Sequence, residues 1–361
     1  MLTKSSSGER VNMIRDANPL ARDLLPGYLV EKLEVECGPL SRACFYLLQL
    51  PLRLFVWVAL RPRAEQPGNL EQAEVDRVYT ARAKTYDRTH HITTRGQDTA
   101  WRRFAAWVVV TLPQPVITVL DLCTGTGLTV KELARLLYLH GKRAQITGLD
   151  YNQSMLACAN QAFGCASGTE GTQNGCEVRF VRGDATAFCS RHADDRSFAV
   201  LPPSSVDAVT QVFGIGGVAD PVAVFDEALA VLRENGRYIL VDMHRPIPEL
   251  SGEYPLPGAW VKTSQFEAYT YLNTTVPLVL ARLWAWRDTT LDFYIAPFMV
   301  LRESGQWYGF RIITRTVESE RWWFGLPVMP VCRLVLEKVR ITEDEYRSRH
   351  AILQQLRNIE A

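Results

Sequence analysis

The sequence predicts an α/β fold: a doubly wound, mostly parallel seven-stranded sheet, with an N-terminal helical extension and a helical lid before the last two strands. Three observations predict it. Between Val116 and Met243, short apolar strand-like runs alternate with amphipathic helical runs four times over, as in a parallel sheet covered on both faces. The run VLDLCTGTGL, Val119 to Leu128, leads an apolar strand through an acidic residue into a Thr/Gly turn and then a helix, the order found where α/β sheets hold a ligand at their strand ends. Near the carboxyl end, Tyr308 to Val317 and Val331 to Ile341 read as two further strands, an antiparallel pair that closes the sheet.

The elements follow in order. Residues 1–70 form the extension, with helical periodicity around Ala21 to Leu33 and the apolar run ACFYLLQLPLRLFVWVAL at Ala43 to Leu60. Glu71 to Val110 reads as helices broken near Gly96, before Pro113 and Pro115 punctuate the first strand. Strands are expected at Thr118 to Leu122, Ala144 to Asp150, Glu177 to Gly183, Ser205 to Val212 and Arg237 to Met243. Helices are expected at Thr129 to His140, Ser154 to Phe163 and Val222 to Arg233, with a short piece around Ala187 and Asn235-Gly236 ending the last helix. Residues 71–245 make the core with its own amino-terminal closing segment. Residues 246–306 form an aromatic-rich lid, too long for an ordinary connection, and 307–361 hold the closing strands and a final helix. Six of the nine tryptophans, Trp260, Trp284, Trp286, Trp307, Trp322 and Trp323, lie beyond Arg245.

Composition narrows the function. A chain of 361 residues, 47% hydrophobic and 22% charged, can bury a large core. Forty basic against thirty-nine acidic residues give a net charge of +1, so no overall field gathers phosphate backbones and nucleic acid is not expected as a partner. Eight cysteines without a CxxC pair suit a reducing compartment. Cys158, Cys165, Cys176 and Cys189 lack zinc-ligand spacing, so no metal is expected and ordinary packing is favoured over a bridge between Cys165 and Cys176. No signal peptide follows the polar start, which places the chain in the cytoplasm. Ala43 to Leu60 approaches the ~17 to 25 residues of a spanning helix but is broken by Pro51 and Arg53. Packing on the protein itself, an anchor in a headgroup layer or homodimer contact, and a span all remain open for it; an anchor would make the protein peripheral to a membrane.

Three carboxylates carry the chemistry. Asp121 leaves the first strand beside Gly125 and Gly127, where a ligand can approach bare backbone and an ammonium can be oriented. Asp150 ends the second strand, where an acidic residue accepts ribose hydroxyls, although Asn152 or Ser154 there would equally cap the next helix. Asp184 closes the third, at reach of an adenine amino group. A dinucleotide would need a third glycine in register and a P-loop would need Lys-Ser or Lys-Thr, and neither is present. S-adenosyl-L-methionine is the ligand that suits the turn.

These strings resemble those of the Rossmann-like class I S-adenosylmethionine-dependent methyltransferases, and within them the ubiquinone/menaquinone C-methyltransferase group. The likeness rests on VYTARAKTYDRTHHITTRGQDTAWRR, VLDLCTGTG, GLDYNQSML, Gly183 to Ala185, VFGIGGVAD and VLRENGRYILVDMHRP, six segments in the group's order. It implies that Asp121, Cys123, Gly125 and Gly127 line the methionine moiety, that Asp150 and Tyr151 meet ribose and adenine, and that Asp184 and Ala185 meet adenine. Gln211, Val212 and Phe213 would form the floor beneath the sulfonium, and Tyr86, Arg95 and Gly96 would belong to the closing segment. The chain departs from the group at Gly216 and Gly217, where the group has Arg and Asn, and at Thr89 to Thr93.

A methyl group on a sulfonium leaves by in-line displacement, so the protein mainly aligns the nucleophile and takes its proton. A phenol or quinol needs a base, and histidine suits that task. His244, directly after the fifth strand, is the first candidate, with His90 in the closing segment next and Tyr86 as a further donor. The aromatic content of Trp284 to Phe298 points either to a hydrophobic acceptor pocket or to ordinary core. The expected function is methyl transfer to a small hydrophobic or aromatic acceptor. The competing reading is an S-adenosylmethionine-binding protein without catalysis, or a membrane-surface scaffold.

Overall fold

The computed structural model describes residues 71–165, 170–189, 201–244, 285–318 and 331–360, together with single positions between 43 and 54. From Glu71 the described chain runs through three helices, α1 (Gln72–Arg82), α2 (Tyr86–Thr93) and α3 (Gln97–Val110). It then alternates through β1 (Val116–Leu122), α4 (Leu128–Leu139), β2 (Arg143–Asp150), α5 (Gln153–Phe163), β3 (Glu170–Gln173), β4 (Cys176–Arg182), β5 (Val206–Val212), α6 (Pro221–Val231) and β6 (Leu232–Met243). The carboxyl-terminal part supplies α7 (Asp292–Ile295), β7 (Val300–Glu303), β8 (Gln306–Glu318), β9 (Val331–Arg340) and α8 (Glu343–Glu360).

The nine strands form one sheet in the order β3-β4-β2-β1-β5-β6-β9-β8-β7. Its centre is parallel, β4-β2-β1-β5-β6, and its flanks are antiparallel. The chain winds from β1 outward to β4 on one side, then returns to β5 and β6 on the other. That reversal beside β1 opens a crevice at the strand ends, where ligands of such sheets sit. Alternation along β1 and β6 feeds two cores. Leu120, Leu122, Tyr238 and Leu240 join α6, α7 and α8 on one face; Ile117, Val119, Ile239 and Val241 join α3, α4 and α5 on the other.

Seven strands were expected, and nine are present among the described residues. The additional two, β3 and β7, are four-residue hairpin arms at the two sheet edges. Glu170–Gln173 carries no apolar alternation, because an edge strand with polar sides needs only ladder hydrogen bonds. The helix expected to run to Arg233 ends at Val231 instead, and Leu232 already pairs with Val206. Asn235 adopts φ +65° inside the resulting strand, so Asn-Gly marks an irregularity of β6 rather than a helix cap.

Of the expected lid, 246–284, with Trp260 and Trp284, lies outside the described residues, as do Trp322, Trp323 and the helix expected around Ala21 to Leu33. Within 285–306, Phe293, Tyr294, Ile295 and Phe298 are buried in the α6 face, which is the ordinary-core reading of those aromatics. Cys165 and Cys176 are free thiols. Among the described residues no helix is long and apolar enough to cross a membrane. Ala43, Leu47, Leu50, Pro51 and Leu54 are helical and exposed.

Candidate active site

The crevice at the ends of β1, β2 and β5 is a cavity of about 710 Å³ including its open mouth, room enough for a nucleoside-sized ligand. Its base is backbone. After β1 the chain turns through Cys123 (φ +53°), Gly125 (φ +58°) and Gly127 (φ +83°). At Gly125 a side chain would press on the Met155 methyl and close the approach to the main chain. Gly127 serves packing instead: a β-carbon there would meet the Phe163 ring at 2.9 Å, where α4 must lie close to the sheet.

Asp150 organises the turn. One carboxylate oxygen accepts from the Gly125 amide at 2.7 Å and the other from the Asn152 amide at 2.8 Å. A carboxylate has about four acceptor positions, so roughly two remain for ligand hydroxyls. Burial raises its pKa to about 6, with the amides opposing that shift. Across the cavity Asp184 accepts from the Thr186 amide and hydroxyl through one oxygen, in an Asx turn, while the residue lines the cavity with Ala185.

Asp121 has a different place. It is 1% exposed, and its two oxygens accept from Thr124 Oγ1 and Thr210 Oγ1, each at 2.6 Å. It therefore stands behind the turn and ties β1 to β5. Burial lifts its pKa to about 6 against those two bonds. Gln211 is likewise internal, accepting from the Tyr238 hydroxyl and donating to Cys123 Sγ at 3.4 Å. It supports Cys123, which does line the cavity. Val212 is buried in the core, and Phe213 follows it into the cavity wall.

The opposite wall comes from the amino-terminal helices. Gln72, Val75, Asp76 and Tyr79 of α1 line the cavity together with Tyr86 of α2. Asn152 holds α1 there: its amide nitrogen donates to Asp76 O, Asp76 Oδ1 and Thr80 Oγ1 at 2.8 to 3.0 Å, while its oxygen caps α5 through the Met155 amide. Thr126 Oγ1 donates to Asp87, which fastens α2 to the glycine turn. Tyr79 and Tyr86 are 6.0 Å apart between ring centroids, Tyr86 stacks on His90 at 5.3 Å, and His90 meets the Phe213 edge at 5.6 Å. Burial pushes the Tyr86 hydroxyl up to about 12, so it stays protonated at neutral pH.

The family model described as the ubiE/COQ5 methyltransferase family matches residues 68–262, more than half of the chain. The chain belongs to the ubiE/COQ5 methyltransferase family. It is similar to the demethylmenaquinone methyltransferase of Thermotoga maritima, at 30% identity over 58% of this chain and 82% of that protein. It is also similar to the ubiquinone/menaquinone biosynthesis C-methyltransferase UbiE of Rhizobium leguminosarum, at 30% identity over 49% of this chain and 61% of that protein. Among solved structures, phosphoethanolamine N-methyltransferase 1 of Haemonchus contortus aligns with a TM-score of 0.42 and 13% identity, covering 87% of this chain and 52% of that one.

The protein is thus an S-adenosylmethionine-dependent methyltransferase. The cavity residues fit that cofactor: bare backbone at Gly125, the spare acceptor positions of Asp150, and Tyr151, Asp184 and Ala185 at one end. Of the candidate proton acceptors, His90 stands beside two cavity-lining rings and His244 does not. His244 is 4% exposed and lies against Phe293 and Tyr294, behind β6. His90 Nδ1 is 3.6 Å from Asp98 Oδ2, and the same carboxylate pairs with Arg102 at 2.7 Å. Burial lowers the His90 pKa, so the ring is neutral at pH 7. Arg95, at φ +53°, and Gly96, at φ +78°, form the left-handed bend between α2 and α3 that brings Asp98 beneath His90.

The sequence places helices over Glu71 to Val110 but does not show that α1 lines the cavity, that Asn152 tethers it, or that Asp98 pairs with Arg102 beside His90. Asn152 was visible as a cap, but its second set of bonds joins residues more than 70 apart in sequence. Asp98 and Arg102 were visible only as an i,i+4 pair of opposite charge, a spacing far more often found on exposed helix faces.

Proposed function

We propose that this methyltransferase methylates a ring carbon of a quinol-like, hydrophobic acceptor. The observation that carries the reading is the aromatic wall of Tyr79, Tyr86 and Phe213 across the cavity from the Asp150 turn, in a chain of the ubiE/COQ5 family. The relatives named for demethylmenaquinone support the same acceptor class. When bound, S-adenosylmethionine supplies a methyl group on a sulfonium, already activated for in-line displacement. The chain contributes position and proton transfer. Asp150 and the bare turn hold the ribose end, and the rings of Tyr79, Tyr86 and Phe213 stack against a flat acceptor and exclude water.

His90 serves as the proton acceptor for the quinol hydroxyl while the ring carbon takes the methyl group. The hydrogen on that carbon then leaves as a proton, the oxygen regains its proton as the ring becomes aromatic again, and one proton in all passes to solvent. His90 is neutral, as a base must be, and Asp98 stabilises the imidazolium that forms. Asp98 carries its charge throughout: burial works against it, but the nearby His90 ring, the Arg102 charge and the bond from the Thr94 hydroxyl hold its pKa well below the ordinary carboxylate range. A quinol also suits Ala43 to Leu60, whose exposed Leu47, Leu50 and Leu54 would meet the lipid layer in which such acceptors dissolve.

The test is turnover of a short-chain demethylmenaquinol with S-adenosylmethionine, followed by mass measurement of the product. A product heavier by one methylene, with both ring hydroxyls still free to acetylation, is expected. A product methylated on oxygen would contradict carbon transfer, and binding of cofactor without turnover of any quinol would contradict the acceptor class.

A further inference from the structure

The turn after β5 forms one wall of the cavity through Phe213, Gly214, Gly217 and Val218. Gly216 and Gly217 leave this wall without two side chains, so its shape is set by backbone. A backbone wall stands where whatever lies behind it allows. What lies behind it is a segment from far downstream, beginning at Ala285.

Arg287 does most of the holding. Its amide donates to Gly216 O at 2.8 Å, its Nε to Val218 O at 3.1 Å and its Nη2 to Ile215 O at 3.2 Å. Three carbonyls of a single turn are taken by one residue, whose guanidinium is fixed in turn by Asp292, 2.7 Å away and 1% exposed. Beside it, the Trp286 indole stands where a side chain at 216 would project, so that only glycine fits. The same segment is fastened to the end of β6 through the Thr289 hydroxyl, which donates to Met243 O. A segment that needed only burial would not commit a buried ion pair to this turn, since desolvating two charges costs several kcal/mol.

On the quinol-methylating reading above, we infer that Trp286 and Arg287 set the position of the acceptor wall, so that the carboxyl-terminal part of the chain, and not the core alone, decides which ring the site accepts. Both are positioning residues, since they act through the 215–218 turn. The cofactor side is held separately, by Asp150, Asn152 and the glycine turn, so acceptor and cofactor binding should respond differently to changes here. A shift of about 1 Å in the wall is enough to cost about a hundredfold in rate.

The test pairs Gly216→Ala and Arg287→Lys with a compensating double variant, Gly216→Ala with Trp286→Ala. Each is assayed for S-adenosylhomocysteine affinity and for KM and kcat with a short-chain demethylmenaquinol. Gly216→Ala is expected to raise the acceptor KM about tenfold while cofactor affinity stays within about threefold, and removing the indole should recover at least part of the loss. Arg287→Lys keeps the backbone bond to Gly216 O and the charge opposite Asp292, but its ammonium cannot hold both Val218 O and Ile215 O, so it should raise the acceptor KM about tenfold as well. A fully active Gly216→Ala, a double variant no better than the single, or loss of cofactor affinity in parallel with acceptor affinity would overturn the inference. A second readout needs no acceptor: amide exchange at Gly216, Gly217 and Val218 in the S-adenosylhomocysteine complex. Arg287→Ala should speed exchange there, and unchanged protection would overturn the inference. If the parent protein turned over no quinol, the quinol reading would fall, and the exchange measurement would decide the positioning role by itself.

Discussion

Replacing Asp150 by Asn tests the centre of the cofactor site. In the parent, both oxygens accept backbone amides, at 2.7 Å from Gly125 and 2.8 Å from Asn152, and the remaining acceptor positions face the cavity. Asparagine has a single oxygen, so its amino group must confront one of those N–H donors and one bond is lost. Two ribose hydroxyls also lose a charged acceptor, each bond contributing about 1.5 to 3 kcal/mol. With partial compensation by the amide oxygen, a net loss of about 3 kcal/mol corresponds to about a hundredfold weaker binding. Isothermal titration with S-adenosylhomocysteine reads this directly.

The pH dependence gives an independent check. Desolvation raises the pKa of Asp150 to about 6. The ligand prefers the carboxylate, so affinity in the parent should fall as pH drops through 6, by about tenfold at pH 5 relative to neutral pH. Stability of the ligand-free protein runs the other way. A carboxyl whose folded pKa lies above its unfolded value of 3.8 adds stability below that value and loses the contribution as pH rises through 6. Ligand should therefore stabilise the protein most above pH 6. The Asn variant should show neither trend at this site. Affinity within threefold of the parent, or the same pH profile in both proteins, would refute the assignment of ribose binding to Asp150.

Other expectations follow from the same geometry. Asn152→Ala removes the cap of α5 and the three bonds to α1, and should lower stability by about 1 to 2 kcal/mol in thermal melts while speeding cofactor release in stopped flow. Asp98→Asn leaves Arg102, 5% exposed, without its countercharge and should cost about 3 to 5 kcal/mol in urea unfolding. Because the folded Asp98 pKa is depressed, its contribution is present above the ordinary carboxylate range and lost as pH falls below it, so the variant should show a flatter acid limb. His90→Gln should lower kcat with quinol by about a hundredfold and leave cofactor affinity unchanged; a kcat within twofold of the parent would exclude His90 as the base. Deleting the residues before Glu71 should preserve turnover of a soluble short-chain acceptor and abolish cosedimentation with anionic vesicles, and retained cosedimentation would place lipid contact elsewhere.

The parallel centre of the sheet and the cofactor turn were legible in the sequence because both are local. A strand of alternating or continuous apolar residues, a glycine that must take positive φ, and an acidic residue at a strand end each record their structure within about ten positions. Cys123 to Gly127 and Asp150 carry such records, and they lead to the same ligand before any fold is known. The edge strands β3 and β7 carry almost none, since four residues with mixed polarity are held by ladder bonds that any sequence can make.

Roles that depend on burial and long-range contact were decided by tertiary structure alone. Asp121 and Asp150 look alike as strand-end carboxylates, yet two threonine hydroxyls claim the first while the second keeps acceptor positions toward the cavity. His244 stands in the better sequence position for a base, but just past the end of β6 its ring packs against Phe293 and Tyr294, while a left-handed bend at Arg95 and Gly96 brings Asp98 under His90. Gly216 read as a missing side chain, and only the fold shows the Trp286 indole in its place. What the sequence by itself determined is the sheet's parallel centre, the methyltransferase family and the cofactor. Which partners each carboxylate takes, which histidine stands beside the cavity's rings and what lies behind the 215–218 turn follow from packing, because contacts between residues 60 to 90 positions apart leave no periodic trace in the chain.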